Sequence, residues 1–384
     1  MARIAFLGDS LTATGLNEPL RTFNSWLSGP LASLLGPQFD SYLNHGVGGE
    51  TISQCLARVP SVLADTPDIV VVNCGINDLS RPDTTFAGIQ ADYLEIISQL
   101  VRADVRVVCC TILDRLLVAD GGVVTPEQAE VRFVFNAWLR SLRDGVMIEA
   151  VADLDEVFFD PKTQSGDGTH PDTSRCWDLA AQIAEAVRVA AKGLPQPVVG
   201  ANLLGNGDML GTAGLTSASY CSGTLPTGWR VIGGASGTET WTCTPVHKDK
   251  AGATRITLGG TPSGAGRNGF LRRTEGLDLA AGQRIILGFD VALEEVSGVV
   301  GVMAQLALPL GSDTQYLSAM QHRSDTDQPY RQVPANYAER FWSLPYTVPE
   351  ALTGCELRFG VYYLDDAPIS GSITIGNPVV CPLN

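Results

Sequence analysis

The sequence predicts an α/β domain over residues 1–195, followed by an all-β domain over residues 198–384. With 384 residues, the chain has about twice the length of a typical domain, so two hydrophobic cores are expected. Residues 1–192 alternate short β-rich runs with amphipathic stretches, which is typical of a parallel sheet covered by helices. Beyond Lys192–Pro197 the composition changes, because 26 of the 41 glycines follow this segment. The domain boundary is therefore predicted in this short linker.

Five β-rich runs in the first domain predict the strands of its sheet. They are Arg3–Leu7, Phe39–Asn44, Asp68–Cys74, Val105–Ile112 and Val146–Leu154. Helical periodicity over the intervening segments predicts the helices Thr51–Ala64, Thr84–Val101 and Pro126–Arg143, with Trp177–Ala191 as the last helix. Strands that alternate with helices in this way imply an open, doubly wound parallel sheet between two layers of helices.

In the second domain, short runs of alternating hydrophobicity are separated by turn residues. This pattern is typical of an antiparallel β-sandwich, and its clearest runs are Arg284–Val291, Val299–Leu308, Glu356–Tyr363 and Ser372–Val380. The segment Gly264–Gly269 matches a dinucleotide-binding pattern, but Phe270–Arg273 directly after it predicts a strand. Because no helix N-terminus is then available for a pyrophosphate, we expect a loop without a nucleotide there.

Composition and charge exclude several classes of function. The formal net charge of −15, without clusters of Lys and Arg, argues against a nucleic-acid partner. The apolar runs are far shorter than the roughly 20 residues that span a membrane, so no membrane partner is expected. The nine cysteines lack the regular spacing of a disulfide scaffold, and reduced thiols are expected. With four histidines and no chelating cysteine spacing, neither a metal nor another cofactor is expected.

The candidate catalytic residues follow the predicted strands at their carboxyl ends, where open α/β sheets bind their ligands. The first strand leads into Gly8–Ser10, the second into Gly46–Thr51 and the third into Gly75–Asp78. A serine at such a junction is exposed, and its backbone N–H can point into the same pocket as its hydroxyl. A glycine N–H and the side-chain amide of Asn77 would add two further donors for a developing oxyanion.

An acid and an imidazole follow the fifth predicted strand, within the segment Asp167–Pro171. They lie three positions apart on one tight turn, so that Asp167 can hold one ring nitrogen of His170 while the other faces Ser10. General-base activation of a serine needs this arrangement. Trp26 and the segment Asp114–Pro126 also follow strand ends and could line the pocket, although Trp26 is at least as well explained by core packing. His45 is expected to be a structural residue outside the site.

These blocks resemble, in order, those of the SGNH or GDSL-type serine hydrolase family. They are Gly8-Asp9-Ser10-Leu11, the glycines of Gly46-Val47-Gly48-Gly49, Gly75-Ile76-Asn77-Asp78 and Asp167-Gly168-Thr169-His170. The resemblance covers residues 1–192 and implies the flavodoxin-like, three-layer SGNH hydrolase fold. It also implies Ser10 as nucleophile with Asp167 and His170 completing the triad, and an oxyanion hole of Ser10, Gly49 and Asn77. Gly48 is the alternative to Gly49, which is favoured because Thr51 follows it at the usual offset of the family.

The second domain resembles the jelly-roll modules of carbohydrate-active and phage tail proteins. The resemblance rests on Asn202–Asp208 and Pro226–Trp229. Four aromatic residues could stack on sugar rings or fill the core of the sandwich, and the core is favoured; they are Trp229, Trp241, Tyr330 and Trp342. A module of this kind could bind a carbohydrate, attach the protein to an assembly or form a homo-oligomer, and these three roles stay open.

The expected reaction is the hydrolysis of small acyl esters by a serine esterase. O-acetyl groups on a polysaccharide are the favoured substrate, because the second domain suggests a glycan and no long apolar lid is visible. Met1 is followed almost directly by a strand, so no signal peptide is expected, which predicts synthesis in a cytoplasm and action either there or in a phage tail. The alternatives are a lysophospholipase or thioesterase acting on lipid esters and, in another class, a glycan-binding or adaptor protein.

Overall fold

A computed structural model describes most of the chain. The described residues are 2–13, 28–116, 123–144, 147–157, 159–165, 167–171, 173–204, 209–214, 216, 219–232, 237–248, 251–263, 268–273, 276–321, 333, 335–364 and 366–384. They divide into two compact units, and after residue 37 the division falls between Pro197 and Val198. Residues 32–37 group with the second unit. None of the described helices is both long and apolar enough to cross a membrane.

The first unit is built on a parallel sheet of five strands in the order β2-β1-β3-β4-β5. The strands are β1 Arg3–Gly8, β2 Ser41–Gly46, β3 Ile69–Asn73, β4 Arg106–Cys110 and β5 Ala150–Ala152. Helices connect them in the doubly wound manner that the sequence predicts. They are α1 Ser10–Ala13, α3 Ile52–Ala64, α4 Phe86–Arg102, α5 Pro126–Ser141 and α6 Thr173–Ala190, and the short helix α2 Ser28–Leu35 spans the division between the units. The predicted α/β fold class is confirmed.

Burial explains why the central strands are continuous apolar runs. All five residues of β3 are buried, because helices cover both faces of the sheet. The helices bury one stripe each, as α4 does with apolar residues at helical spacing: Ile89, Tyr93, Ile96, Ile97 and Leu100. Thr125 begins α5 with a capping box, since its hydroxyl accepts from the Gln128 N–H and the Gln128 side chain accepts from the Thr125 N–H. These features position the loops at the carboxyl edge of the sheet.

Two elements of the first unit begin four residues from their predicted start, and one helix was not predicted. β5 has only three residues, Ala150–Ala152, because only these pair with the end of β4. α6 begins at Thr173, four residues before the predicted start at Trp177, since its first turn is polar and carries no hydrophobic signal. α2 has no counterpart among the predicted helices. At eight residues, it is too short for periodicity to identify it.

The second unit consists of two mainly antiparallel sheets. One has the order β14-β13-β17-β10-β7 and the other β15-β12-β18-β9-β8-β6, with β11 and β16 paired beside them. The strands are β6 Cys221–Gly223, β7 Trp229–Ile232, β8 Thr240–Lys248, β9 Ala251–Gly259, β10 Asn268–Arg273, β11 Leu277–Leu279, β12 Arg284–Ser297, β13 Val299–Leu310, β14 Asp313–Gln321, β15 Tyr337–Trp342, β16 Tyr346–Thr347, β17 Leu352–Tyr363 and β18 Ser370–Pro382. The all-β prediction is confirmed, whereas the jelly-roll connectivity stays a prediction.

The aromatic residues of the second unit mostly fill its core. Trp229 is 1% exposed and Trp241 is 0% exposed, so neither can stack on a sugar ring at the surface. The indole N–H of Trp241 donates to the Tyr363 hydroxyl, which satisfies a polar group that would otherwise be buried alone. Trp342 is partly buried, and Tyr330 lies outside the described residues, as do residues 264–267 of the glycine-rich segment.

Candidate active site

The close approach of β1 and β3 places Ser10 at the carboxyl edge of the sheet. A Cβ atom on Gly8 would lie 2.2 Å from the carbonyl oxygen of Asn73, so only glycine fits at the end of β1. The chain then turns at once into α1, where the Asp9 carbonyl accepts from the N–H groups of Thr12 and Ala13 at 3.1 and 2.8 Å. Ser10 therefore lies two residues after a strand that packs closely against β3, and this packing fixes its position.

Ser10, His170 and Asp167 form one continuous hydrogen-bonded chain. The Nε2 atom of His170 lies 2.9 Å from the Ser10 hydroxyl oxygen, and its Nδ1 atom lies 2.5 Å from Oδ2 of Asp167. The imidazole thus has one ring nitrogen on the serine and the other on the carboxylate. This geometry permits transfer of the Ser10 proton to His170 while Asp167 fixes the ring orientation.

The loop around Asp167 holds this carboxylate in its ionised form. Its Oδ1 atom accepts from the backbone N–H groups of Thr169 and His170 at 2.9 and 2.8 Å, and from the Ser165 hydroxyl at 3.1 Å. Partial burial alone would raise the pKa of Asp167, but the hydrogen bonds from the His170 side chain and from the two backbone N–H groups outweigh it. The pKa of Asp167 is therefore held well below its usual range.

The two other predicted oxyanion donors lie on loops that are tied together. The side-chain amide of Asn77 donates to the carbonyl oxygen of Glu50 at 3.0 Å, which joins the loop after β3 to the loop after β2. Gly49 has a φ of +81°, a conformation that favours glycine. A Cβ atom on Gly48 would lie 3.9 Å from the Ser10 Cβ atom, so Gly48 borders the nucleophile. Gly48 and Gly49 therefore both remain candidates for the backbone N–H donor of the oxyanion hole.

Arg58, which the sequence did not reveal, connects two strand ends at this edge of the sheet. Arg58 on α3 donates to the carbonyl oxygens of His45 and Gly8 at 2.7 and 3.1 Å, and to the Glu50 carboxylate at 2.7 Å. It therefore links the ends of β1 and β2. The sequence carries no signal for this role, because backbone carbonyl partners are set by the fold alone. His45 itself lies 2.9 Å from the Asp65 carboxylate, and its structural role stays a prediction.

Two buried carboxyl groups lie behind the site. Asp9 is 0% exposed, and burial raises its pKa to about 7 against the opposing effect of a hydrogen bond from Leu11 N–H and of the nearby His170. Burial likewise raises the pKa of Asp78 to about 6, although its Oδ2 atom accepts from the Ile52 N–H at 3.0 Å. Both groups therefore change charge close to neutral pH.

The structure brings together the residues that the sequence assigns to the triad, while their catalytic roles stay predictions. Asn77 and the two glycines lie on the neighbouring loops after β3 and β2. Trp26 lies outside the described residues, as do residues 117–122 of the predicted pocket segment. The sequence did not reveal the roles of four polar residues around these loops, namely the buried Asp9, Asp78 and Arg115 and the partly buried Arg58.

Comparison with known proteins finds a family match in the part of the chain that carries these residues. Residues 6–174 match the GDSL-like Lipase/Acylhydrolase family. The family resemblance stated from the motifs is thereby confirmed over this range. No curated protein matches the chain.

Solved structures similar to the chain include three bacterial proteins. A GDSL-like lipase from Bacteroides thetaiotaomicron is 19% identical and covers 49% of this chain and 88% of its own, with a TM-score of 0.40. A catalytic mutant of an acetylxylan esterase from Geobacillus stearothermophilus is 16% identical over 50% and 94%, with a TM-score of 0.41. An aryl esterase from M. smegmatis is 20% identical over 49% and 99%, also with a TM-score of 0.41.

Proposed function

We propose that the first unit hydrolyses small acyl esters by serine catalysis, with Ser10 as nucleophile, His170 as general base and Asp167 as the group that orients the imidazole. The observation that carries this proposal is the hydrogen-bonded chain from the Asp167 carboxylate through both ring nitrogens of His170 to the Ser10 hydroxyl. The low pKa of Asp167 supports it, because an ionised carboxylate stabilises the imidazolium that forms when His170 takes the serine proton.

The proposed reaction has two halves. The Ser10 oxygen attacks the ester carbonyl while its proton passes to Nε2 of His170, and the resulting oxyanion binds the Ser10 N–H, a glycine N–H and the Asn77 amide. Collapse of this intermediate breaks the ester bond, and His170 gives its proton to the departing alcohol. A water molecule, activated by His170 in the same way, then attacks the acyl-enzyme and releases the acid, which restores Ser10.

We propose O-acetyl groups on a polysaccharide as the substrate. The support for a polysaccharide is the all-β second unit, whose sequence resembles the jelly-roll modules of carbohydrate-active proteins. An acetyl group is favoured over a long acyl chain because no long apolar lid segment is visible in the sequence.

The experiment compares Ser10→Ala with the unchanged protein on two classes of substrate. Acetate release from acetylated polysaccharides and from a soluble acetyl ester is measured beside the hydrolysis of long-chain esters and thioesters. We expect acetyl esters to be preferred and Ser10→Ala to lose at least about 10³-fold in kcat. Ser141→Ala is the matched control, since Ser141 lies at the end of α5 and, among the described residues, its hydroxyl donates to the Trp138 carbonyl. Retention of more than about a tenth of the rate in Ser10→Ala would refute serine catalysis, and faster cleavage of long-chain esters would refute the acetyl substrate.

A further inference from the structure

A buried guanidinium connects the two loops that carry Asn77 and His170. Arg115 lies in the segment after β4 and is 6% exposed. Its NH1 group donates to the carbonyl oxygen of Ile76 at 2.9 Å and to the Ser80 hydroxyl at 2.7 Å, both on the loop after β3. Its NH2 group donates to the Thr169 hydroxyl at 3.2 Å, on the loop that follows β5. One rigid, planar group therefore spans both loops.

The contacts of Arg115 fall directly beside the proposed catalytic side chains. Ile76 immediately precedes Asn77, and Thr169 immediately precedes His170. The backbone reinforces the connection, because the N–H of Leu116 donates to the Gly168 carbonyl at 2.7 Å. A shift of Arg115 would therefore be passed to a proposed oxyanion donor and to the proposed general base together.

Charge explains why an arginine can be buried at this position. Burial lowers the pKa of Arg115, but the nearby carboxylates of Asp9 and Asp167 act in the opposite direction. A guanidinium also keeps its charge in proteins and has five N–H donors in a fixed, planar arrangement. Lysine, with a compact ammonium group on a flexible stem, cannot hold three acceptors on two loops in one plane.

We propose that Arg115 is a positioning residue that sets the separation between Asn77 and His170 and so aligns the oxyanion hole with the base. The proposal rests on the function proposed above. Effective catalysis needs the reacting groups in place to within a fraction of an ångström, and a displacement of about 1 Å can cost roughly 100-fold in rate. A residue that fixes two loops relative to each other should therefore affect kcat more than substrate affinity.

The first test replaces Arg115 and measures kcat and KM on a soluble acetyl ester with the full chain. Arg115→Met is expected to lower kcat about 10- to 100-fold while KM changes less than about threefold. Arg115→Lys, which keeps the charge and some donors, should recover part of this loss. The matched control is Arg106→Met, because Arg106 also donates to two backbone carbonyls, those of Ala190 and Lys192 at 2.6 and 2.7 Å, but lies at the opposite end of β4. It should retain the kcat of the unchanged protein.

A double-mutant cycle distinguishes positioning from a general loss of stability. If Arg115 acts by aligning Asn77, the costs in kcat of Arg115→Met and Asn77→Ala overlap. The double variant should then lose less than the product of the two single losses, by at least about threefold. Multiplicative costs would overturn the proposal. Circular dichroism and thermal unfolding of each variant show whether the fold is retained.

Two smaller changes keep the proposal testable if Arg115→Met does not fold. Ser80→Ala removes one contact to the loop of Asn77, and Thr169→Val removes the contact to the loop of His170. Each is expected to lower kcat about 3- to 10-fold without a matching change in KM. Unchanged kcat in both would overturn the inference.

The outcomes also separate this inference from the proposed function. An active Ser10→Ala variant would refute serine catalysis whatever Arg115 does. An inactive Ser10→Ala variant, together with an Arg115→Met variant that keeps its kcat, would refute only the positioning role.

Discussion

The buried carboxyl of Asp9 predicts that the first unit loses stability as the pH rises toward neutral. In the unfolded chain this group releases its proton near its ordinary pKa of 3.8, whereas burial raises the pKa in the folded chain to about 7. Between these values the folded state binds one more proton than the unfolded state, so raising the pH favours unfolding. The interval of about 3 pH units corresponds to about 4 kcal/mol, which is fully lost only above pH 7.

The substitution Asp9→Asn should remove this dependence. The amide cannot ionise, and its oxygen can still accept the Leu11 N–H that now bonds to Oδ1 of Asp9 at 3.0 Å. We therefore expect the stability of Asp9→Asn, relative to the unchanged protein, to increase by about 4 kcal/mol between pH 4 and pH 8. The contribution of Asp78, whose pKa is also raised, has the same sign in both proteins and largely cancels in this difference.

The assay is urea unfolding of both proteins at several pH values between 4 and 8, followed by circular dichroism. The transition of the first unit is identified as the one that abolishes the proposed ester hydrolysis. Replacing the buried carboxyl by an amide also has a free-energy cost that does not depend on pH. This cost shifts the free energy of unfolding of Asp9→Asn by the same amount at every pH and leaves its pH dependence unchanged. A stability difference that stays constant within about 1 kcal/mol, or that changes in the opposite direction, would refute the reasoning.

Four further substitutions test the site and the strand packing behind it. Asn77→Ala should lower kcat by about 10² to 10³ with little change in KM, because its amide is proposed to bind the oxyanion more strongly than the substrate carbonyl; a change in KM alone would instead indicate substrate binding. Gly48→Ala places a methyl group beside Ser10 and should lower kcat while the melting temperature stays nearly constant. Gly49→Ala should also destabilise the protein by about 1–3 kcal/mol, because the φ of Gly49 is positive. Gly8→Ala should prevent the close packing of β1 on β3, and a melting temperature equal to that of the unchanged protein would contradict this.

The elements of the sheet were predictable because hydrophobic burial leaves a direct record in the sequence. β1, β3 and β4 are buried on both faces and therefore appear as continuous apolar runs, and the stripe of α4 repeats at helical spacing. The strand β5 was predicted with bounds that were too long, and the helix α2 was not predicted, since three or eight residues carry too little periodicity. In the second unit, β12 continues to Ser297, beyond the predicted end at Val291, because its pairing with β18 extends to Ser297.

The sequence by itself determined the α/β class and the order of the four motif blocks at the strand ends, because a serine, an amide and an acid three residues before a histidine are visible as residue types. It could not determine the distances among them. Only the tertiary structure brings His170 to 2.9 Å from Ser10 across 160 residues of chain. It alone also gives Arg115 its partners, since a guanidinium that binds backbone carbonyls and hydroxyls leaves no complementary residue type to recognise. Burial, which raises the pKa of Asp9, is likewise a property of the packed fold and not of the local sequence.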